Sequence, residues 1–479
     1  MTKAVVGAMQ KSDAADGNNP NDEKIWPQVL AILIASLGAF TQGVCFAWTS
    51  PFIVKLVEDK VNYDISEQEA SNLTIVQPLT VILTCMIFSK IPDIIGRKKT
   101  LLLLSIPHII ALTIAAFAKS IYVFYVSRMF VGLANSFLWT AMPMYIGEVA
   151  SPKIRGALGT AITFGLNVGQ FAVNIVGSYT DVFTTSFVFL PVPIIFVALF
   201  ALMPDTPYYY LIKHQDEAAK KSLRFLTRKS NVEAELKKLK SDVERQMSEQ
   251  GTWKDLFCID SNRKALLAGF FLRISQMFSG NIVFVQYTQL IFKKAGGDVS
   301  PEVASIIYNV LSIVLHITVV LFIVKRFGRK PLYTWSSALC TIVLAVMAVY
   351  FYVDENMVEI DTSSLSWLPI TAVVSYQVVS SFGVTVMSSM MLGELFSASI
   401  KSKAMSVSML IMAFGTFSSN ALFNLLNSNV GTYAPFLLFT ICTLISTVLS
   451  LYMVPETKDK TLEEIQMYLK GKKKSLTAL

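Results

Sequence analysis

Apolar stretches recur along the chain at residues 28–49, 72–89, 101–118, 121–142, 156–177 and 186–203. A polar block fills 204–264, and six more stretches follow at 265–290, 302–324, 332–353, 365–392, 404–426 and 433–454. Most are close to the ~20 residues that cross a bilayer as a helix. The pattern predicts an all-α membrane protein: a six-helix bundle at 28–203, a cytosolic linker at 204–264, a second bundle at 265–454, and polar tails at 1–27 and 455–479. In the linker, Asp216–Leu226 and Val232–Met247 place apolar residues three and four apart among Lys and Glu, which reads as short amphipathic helices. The first 24 residues, with Gly17-Asn18-Asn19-Pro20, are too polar and too long for a signal peptide.

Composition agrees. The 479 residues are 53% hydrophobic and 15% charged, with a mean hydropathy of +0.54, whereas soluble domains run near 25% charged. A soluble enzyme, a disordered chain and a nucleic-acid binder are excluded as the main reading. Of 41 Lys and Arg, 34 fall in segments on the side of the N-terminus and five (Lys55, Lys60, Lys119, Lys293, Lys294) in loops on the other; Arg128 and Arg273 lie within spans. The positive-inside rule then puts both termini in the cytosol, and the acidic loop at 354–361 on the outside. The five cysteines have no disulfide spacing and are expected as free thiols.

Three motifs recur in the two halves, each after the corresponding span. Asp93 with Gly96-Arg97-Lys98 answers to Gly328-Arg329-Lys330; Glu148 with Arg155-Gly156 to Glu394 with Lys401; Pro204-Asp205-Thr206 to Pro455-Glu456-Thr457. A parallel repeat of six-helix halves is a transporter plan that puts the substrate site at mid-membrane between them.

With Arg128 and Gly132, Pro143 and Tyr145, Gln276 with Ser279-Gly280, and Glu394-Leu395-Phe396, these motifs resemble the sugar porter family of the major facilitator superfamily, including facilitative glucose transporters and insect facilitated trehalose transporters. The resemblance covers about residues 28–467. It implies the major facilitator fold and a cytosolic gate of Asp93, Arg97, Glu148, Arg155, Arg329, Glu394 and Lys401, whose pairs latch the halves together. The alternative is solvated charges obeying the positive-inside rule, worth little each. Many relatives carry an acidic residue where this chain has Lys325.

Polar residues inside spans usually face the bundle interior. Thr163, Asn167, Gln170 and Asn174 recur on one face of span five, suited to a hydroxyl-rich ligand or, alternatively, to gluing helices together. By resemblance, Thr163 and Gln170 line the sugar site and Gln276 is the first Gln of the family's Gln-Gln-x-Ser-Gly-x-Asn. The rest departs from the family: Met277 replaces the second Gln, Ile282 the Asn, and Asn281 sits one residue early, turned by about 100°. Span ten has Val386, Ser388 and Ser389 in place of Pro-x-Pro-Trp, which removes a proline break. Span eleven has Met412-Ala413 in place of Asn-Trp. The expected pathway comprises the span-five stripe with Gln276, Met277, Gly280, Asn281, Ser381, Ser388 and Ser389. Arg273 is either an anion site in the cavity or a side chain reaching the cytosolic face.

Span one carries Thr41-Gln42 where proton-coupled sugar porters have an Asp, and no carboxylate lies deep in a span. His108 and His316 are the only span histidines and read as structural. The expectation is a facilitative uniporter of a sugar such as a hexose or trehalose in the plasma membrane, with weak recognition of glucose, no cofactor, no metal and no enzymatic activity, with its solute and the bilayer as partners and no nucleic acid. The alternatives are a non-transporting sugar sensor and a carrier of a different polar solute on the same fold. Asn72-Leu73-Thr74 is a glycosylation sequon abutting span two.

Overall fold

The computed structural model describes residues 24–458 apart from 153, 249–250, 297–298, 324–325, 358–364, 366 and 397–399, and beyond these residues 460, 464–465 and 467. Residues 1–23 of the N-terminal tail, Lys325 and part of the acidic loop thus lie outside the described residues.

Eleven helices among them are long and apolar enough to cross a membrane. The twelfth span, span five, is Ala161–Tyr179. Its 19 residues reach about 28 Å at 1.5 Å per residue, but its polar stripe lowers its hydropathy. The other spans of the first half are Trp26–Ala47 continued by Thr49–Glu58, Glu67–Phe88, Arg97–Leu103 continued by Ser105–Phe117, Ile121–Val149, and Val182–Phe189 continued by Pro191–Phe200. Those of the second half are Asp260–Met277 continued by Asn281–Gln286, Pro301–Thr318, Arg329–Asn356, Trp367–Leu395, Lys401–Asn429 and Tyr433–Met453. Several helices run past the apolar stretches, because a helix end outside the hydrocarbon carries polar residues at no cost.

Small residues bring spans one and five together. A Cβ on Gly43 would run into the Leu166 carbonyl, and one on Gly169 into that of Phe40, so the backbones approach as closely as small-residue membrane interfaces permit. The linker forms helices at Pro207–Ile212, Asp216–Thr227, Glu233–Ser248 and Trp253–Cys258. Leu211, Ala219 and Val243 make a small core there, flanked by Lys240–Asp216 (2.5 Å) and Lys229–Glu235 (2.7 Å). All five cysteines are free, Cys258 exposed.

In the second half, spans seven and ten are interrupted near mid-length. In span seven Gly280 takes φ +88°, which suits glycine alone, and the Tyr376 hydroxyl donates to the Ser279 carbonyl (2.7 Å). Span ten widens into a π turn at Ser381–Thr385. The missing prolines therefore do not leave span ten regular. A Cβ on Gly383 would strike the Leu332 carbonyl of span nine, and Ser336 serves the loosened backbone, donating to Val379 O (2.7 Å) and accepting from Val384 N (3.1 Å). Irregular backbone at membrane depth requires such partners.

Candidate functional site

The interrupted spans gather a polar cluster. Gln276 Nε2 donates to the Thr385 carbonyl (3.1 Å), and Asn281 Nδ2 to Thr385 Oγ1 (2.6 Å). Arg273 Nη1 donates to Gln276 Oε1 (3.0 Å). From the first half, Thr163 Oγ1 lies 2.8 Å from His316 Nε2 of span eight, a bridge between the halves. Asn167 and Gln170 are half-buried further along the same helix. Span eight, which carries His316, packs on the π turn that carries Thr385, so the two groups of bonds together offer amide, hydroxyl, imidazole and guanidinium groups from both halves.

Other expected pathway residues are engaged elsewhere. Asn174 is buried, accepting from Ser50 (2.8 Å) and donating to the Gln170 carbonyl (2.9 Å). Met277 is buried, its sulfur accepting from Thr416 of span eleven (3.2 Å) with Gly415 packed alongside. Ser381 and Ser388 are buried and bond carbonyls one turn back, Gln377 (2.7 Å) and Val384 (2.6 Å). Gly280 shapes the span-seven break, and Ser389 alone of the span-ten serines named is exposed. Sequence reasoning missed His316 and Thr385. His316 carried a signal, a polar ring within a span; Thr385 carried none, because the π turn that presents it is not written in the local pattern.

The halves are zipped at the end away from the basic turns. The Tyr287 hydroxyl lies 2.7 Å from Thr74 Oγ1 and donates to the Ser71 carbonyl (3.0 Å). Asn420 donates to the Thr74 carbonyl (3.2 Å), Asn424 to Asn72 (2.7 Å) and Gln289 to Ser178 (2.8 Å). Two exposed ion pairs, Lys293–Glu58 and Lys294–Glu67, flank this seam. Asn72 is thus engaged between the halves, which occludes its sequon in this state.

At the basic end the bonds run within each half. Buried Arg97 places Nε and Nη2 on Glu148 Oε1 (3.0 and 2.9 Å) and pairs with Asp93 (3.1 Å). Thr206 donates to Glu148 Oε2 (2.5 Å). In the second half Arg329 reaches Glu394 at 3.6 Å, while Glu394 Oε2 and Thr457 Oγ1, the counterparts of the Thr206–Glu148 bond, stay unpartnered. Arg155 and Lys401 bond carbonyls of their own halves, Ala150 and Gly393. In this state the expected pairs do not latch one half to the other. A Cβ on Gly147, Gly156, Gly159 or Gly393 would meet nothing within 4 Å, so space adjoins these segments.

A second repeat lies beside these ion pairs. Asp205 Oδ1 accepts from the Lys98 and Thr206 backbones (3.1 and 2.8 Å), and Glu456 from those of Arg329, Lys330 and Lys458 (3.0, 3.2 and 2.8 Å). Each carboxylate caps the helix that starts at its Gly-Arg-Lys turn, where the macrodipole favours negative charge. The protonation balance differs. Burial pushes Asp205 above its ordinary value despite its donors. Burial pushes Glu456 upward too, but its backbone donors outweigh it and the carboxyl ends below its ordinary value.

The family described as "Sugar (and other) transporter" matches residues 30–469. The facilitated trehalose transporter Tret1 of Polypedilum vanderplanki is 30% identical over 462 residues, covering 95% of this chain and 90% of that protein. Tret1 of Anopheles gambiae is 30% identical over 460 residues, and there the match covers 57% of the longer protein. Among solved structures, the inward-open xylose transporter XylE of E. coli superposes with a TM-score of 0.74 at 17% identity, covering 91% of this chain and 98% of that one. XylE bound to 6-bromo-6-deoxy-D-glucose gives 0.73 at 18%, covering 92% and 99%. At those identities the structural likeness speaks to the fold alone.

Proposed function

The chain belongs to the sugar (and other) transporter family, and we propose that it is a uniporter working by alternating access at the cluster of Thr163, Gln170, His316, Gln276, Asn281 and Thr385. It is a multi-pass membrane transporter, not an enzyme. The observation that carries the mechanism is the asymmetry between its two ends. Cross-half hydrogen bonds join the end away from the basic turns, whereas the charged side chains at the basic end bond within their own halves. This is the arrangement of a carrier open to one side, and exchanging which end is joined moves the site across the bilayer.

The positive-inside rule assigns the basic end to the cytosol, with both termini there and the plasma membrane as the site of action. The solute is a sugar or a sugar derivative, the class for which the relatives are named. Spans carry no carboxylate at mid-membrane, so transport runs down the gradient of the solute without a proton. The charged groups at 93–97, 148, 155, 329, 394 and 401 act as the cytosolic gate, exchanging partners when that end closes.

The test is reconstitution of the full chain in vesicles, with labelled trehalose, hexoses and glucuronate offered in counterflow. Saturable exchange insensitive to a protonophore supports uniport. Accumulation that collapses with a protonophore overturns uniport, and a purified, folded protein that moves none of these solutes overturns the transport reading in favour of a sensor.

A further inference from the structure

Two arginines lie inside the membrane, and their surroundings differ. Arg128 is buried with its guanidinium 4.3 Å from the Trp48 ring and Nη1 on the Cys45 carbonyl (2.5 Å). Its charge meets a π face and a carbonyl dipole. Arg273 has neither. Its one described bond is to the neutral amide of Gln276 (3.0 Å), and its Nε is buried with no partner.

Arg273 is half-buried and stands eight residues inside the apolar stretch that begins at 265, about 12 Å along the helix at 1.5 Å per residue. The span histidine of this region, His316, is bonded to Thr163, and the carboxylates Glu148 and Glu394 are at the basic end beside Arg97 and Arg329. A charged side chain at this depth is costly unless paired. The end of the first half-helix of span seven supplies at most about half a negative charge. Arg273 therefore stands within the polar cluster as a cation awaiting an anion, with a donor fork that matches a carboxylate.

We propose that Arg273 binds the anionic group of the transported solute, so that the site takes a hydroxylated carboxylate, such as a uronic or aldonic acid, in preference to a neutral sugar. The hydroxyls meet the amides of Gln170, Gln276 and Asn281, and the carboxylate displaces Gln276 Oε1 from Arg273. This rests on the transport cluster assigned above and names its substrate class. Carrying one negative charge through a uniporter makes transport electrogenic.

The test uses the purified full chain. Glucuronate should raise its melting temperature at concentrations at least tenfold below those at which glucose does, and Arg273→Gln should abolish that preference while Arg273→Lys keeps part of it. In vesicles, an inside-positive potential should speed glucuronate uptake. A wild-type preference for glucose, a glucuronate preference that Arg273→Gln retains, or equal protection by chloride at matched ionic strength overturns the proposal. Because binding is read separately from uptake, protection by glucuronate without any counterflow would overturn the transport reading and leave the anion site standing.

Discussion

The Tyr287 hydroxyl lies 2.7 Å from Thr74 Oγ1 across the boundary between the two halves, and it also reaches the Ser71 carbonyl. Tyr287→Phe removes both bonds and leaves the ring packing against Phe423 intact. At about 1 kcal/mol for each of two buried hydrogen bonds, the loss should shift the balance between states by roughly thirtyfold toward opening at this end. Spin labels at Val61 and Val299 report it as a longer distance population. Lys293→Ala removes an exposed pair with Glu58 and should change the distribution little. Equal effects from the two variants would show that charge, not the buried hydroxyl, holds this end.

Much of this arrangement was legible in the sequence. Hydrophobic stretches gave the spans, and the motif repeat gave two halves. Span five was found from its apolar stretch although its stripe of Thr163, Asn167, Gln170 and Asn174 makes it the least membrane-like of the twelve. The same helical spacing on span eleven, Asn420, Asn424 and Asn427, was open to the same reading and marks the seam. What the sequence could not reveal was partner choice. Glu148 and Glu394 bond within their halves because the state of a carrier, unlike its helices, is set by a small difference between two packings. The π turn that presents Thr385 was hidden because it arises from Gly383 meeting span nine, a tertiary contact.

The two arginine–glutamate pairs at the basic end should differ in their contribution to stability. Arg97 is buried with two bonds to Glu148 and one to Asp93, whereas Arg329 meets Glu394 at 3.6 Å. Removing one partner of a buried pair costs roughly 3–5 kcal/mol because the other charge is stranded. Arg97→Ala should therefore lower the melting temperature of the detergent-solubilised protein well below that of Arg329→Ala. The opposite order would mean that the second half carries the tighter pair.

The two capping carboxylates predict opposite pH responses. Asp205 sits above its ordinary value in the folded protein, so the fold binds its proton more tightly than the unfolded chain does. Stability from this group rises as pH falls through its folded value, and the cost of its charged form is present above it. Glu456 sits below its ordinary value. Its contribution is present above the ordinary carboxylate range and is lost as pH falls through the depressed value. In melting curves from about pH 2 to 8, Asp205→Asn should flatten the loss on raising pH and Glu456→Gln the loss on lowering it. Variants that both flatten the same limb would contradict the assignment.

Glucose should be a poor ligand. Two amides and two Trp rings of the resembled family are replaced by Met277, Ile282, Ser389 and Ala413, and the structure engages Met277 and Ala413 in other contacts. Met277 is packed against Thr416 and Gly415, and Ala413 lies with Val81 and Cys85 in the contact between spans eleven and two. Both ends of the Gln276 amide are already engaged, by Arg273 and by Thr385, so a sugar hydroxyl must compete with a protein partner for it. Each missing hydrogen bond costs roughly 0.5–1.5 kcal/mol, and three at the upper end multiply to about a thousandfold in affinity. Asn167, Gln170 and Asn281 restore donors and acceptors from other directions, which suits a solute of different shape. Unlabelled glucose should therefore compete with the carried solute at least tenfold less effectively than that solute competes with itself. Gln170→Leu and Gln276→Leu should each weaken uptake of the carried solute. Strong glucose transport untouched by either substitution would place the binding site elsewhere in the bundle.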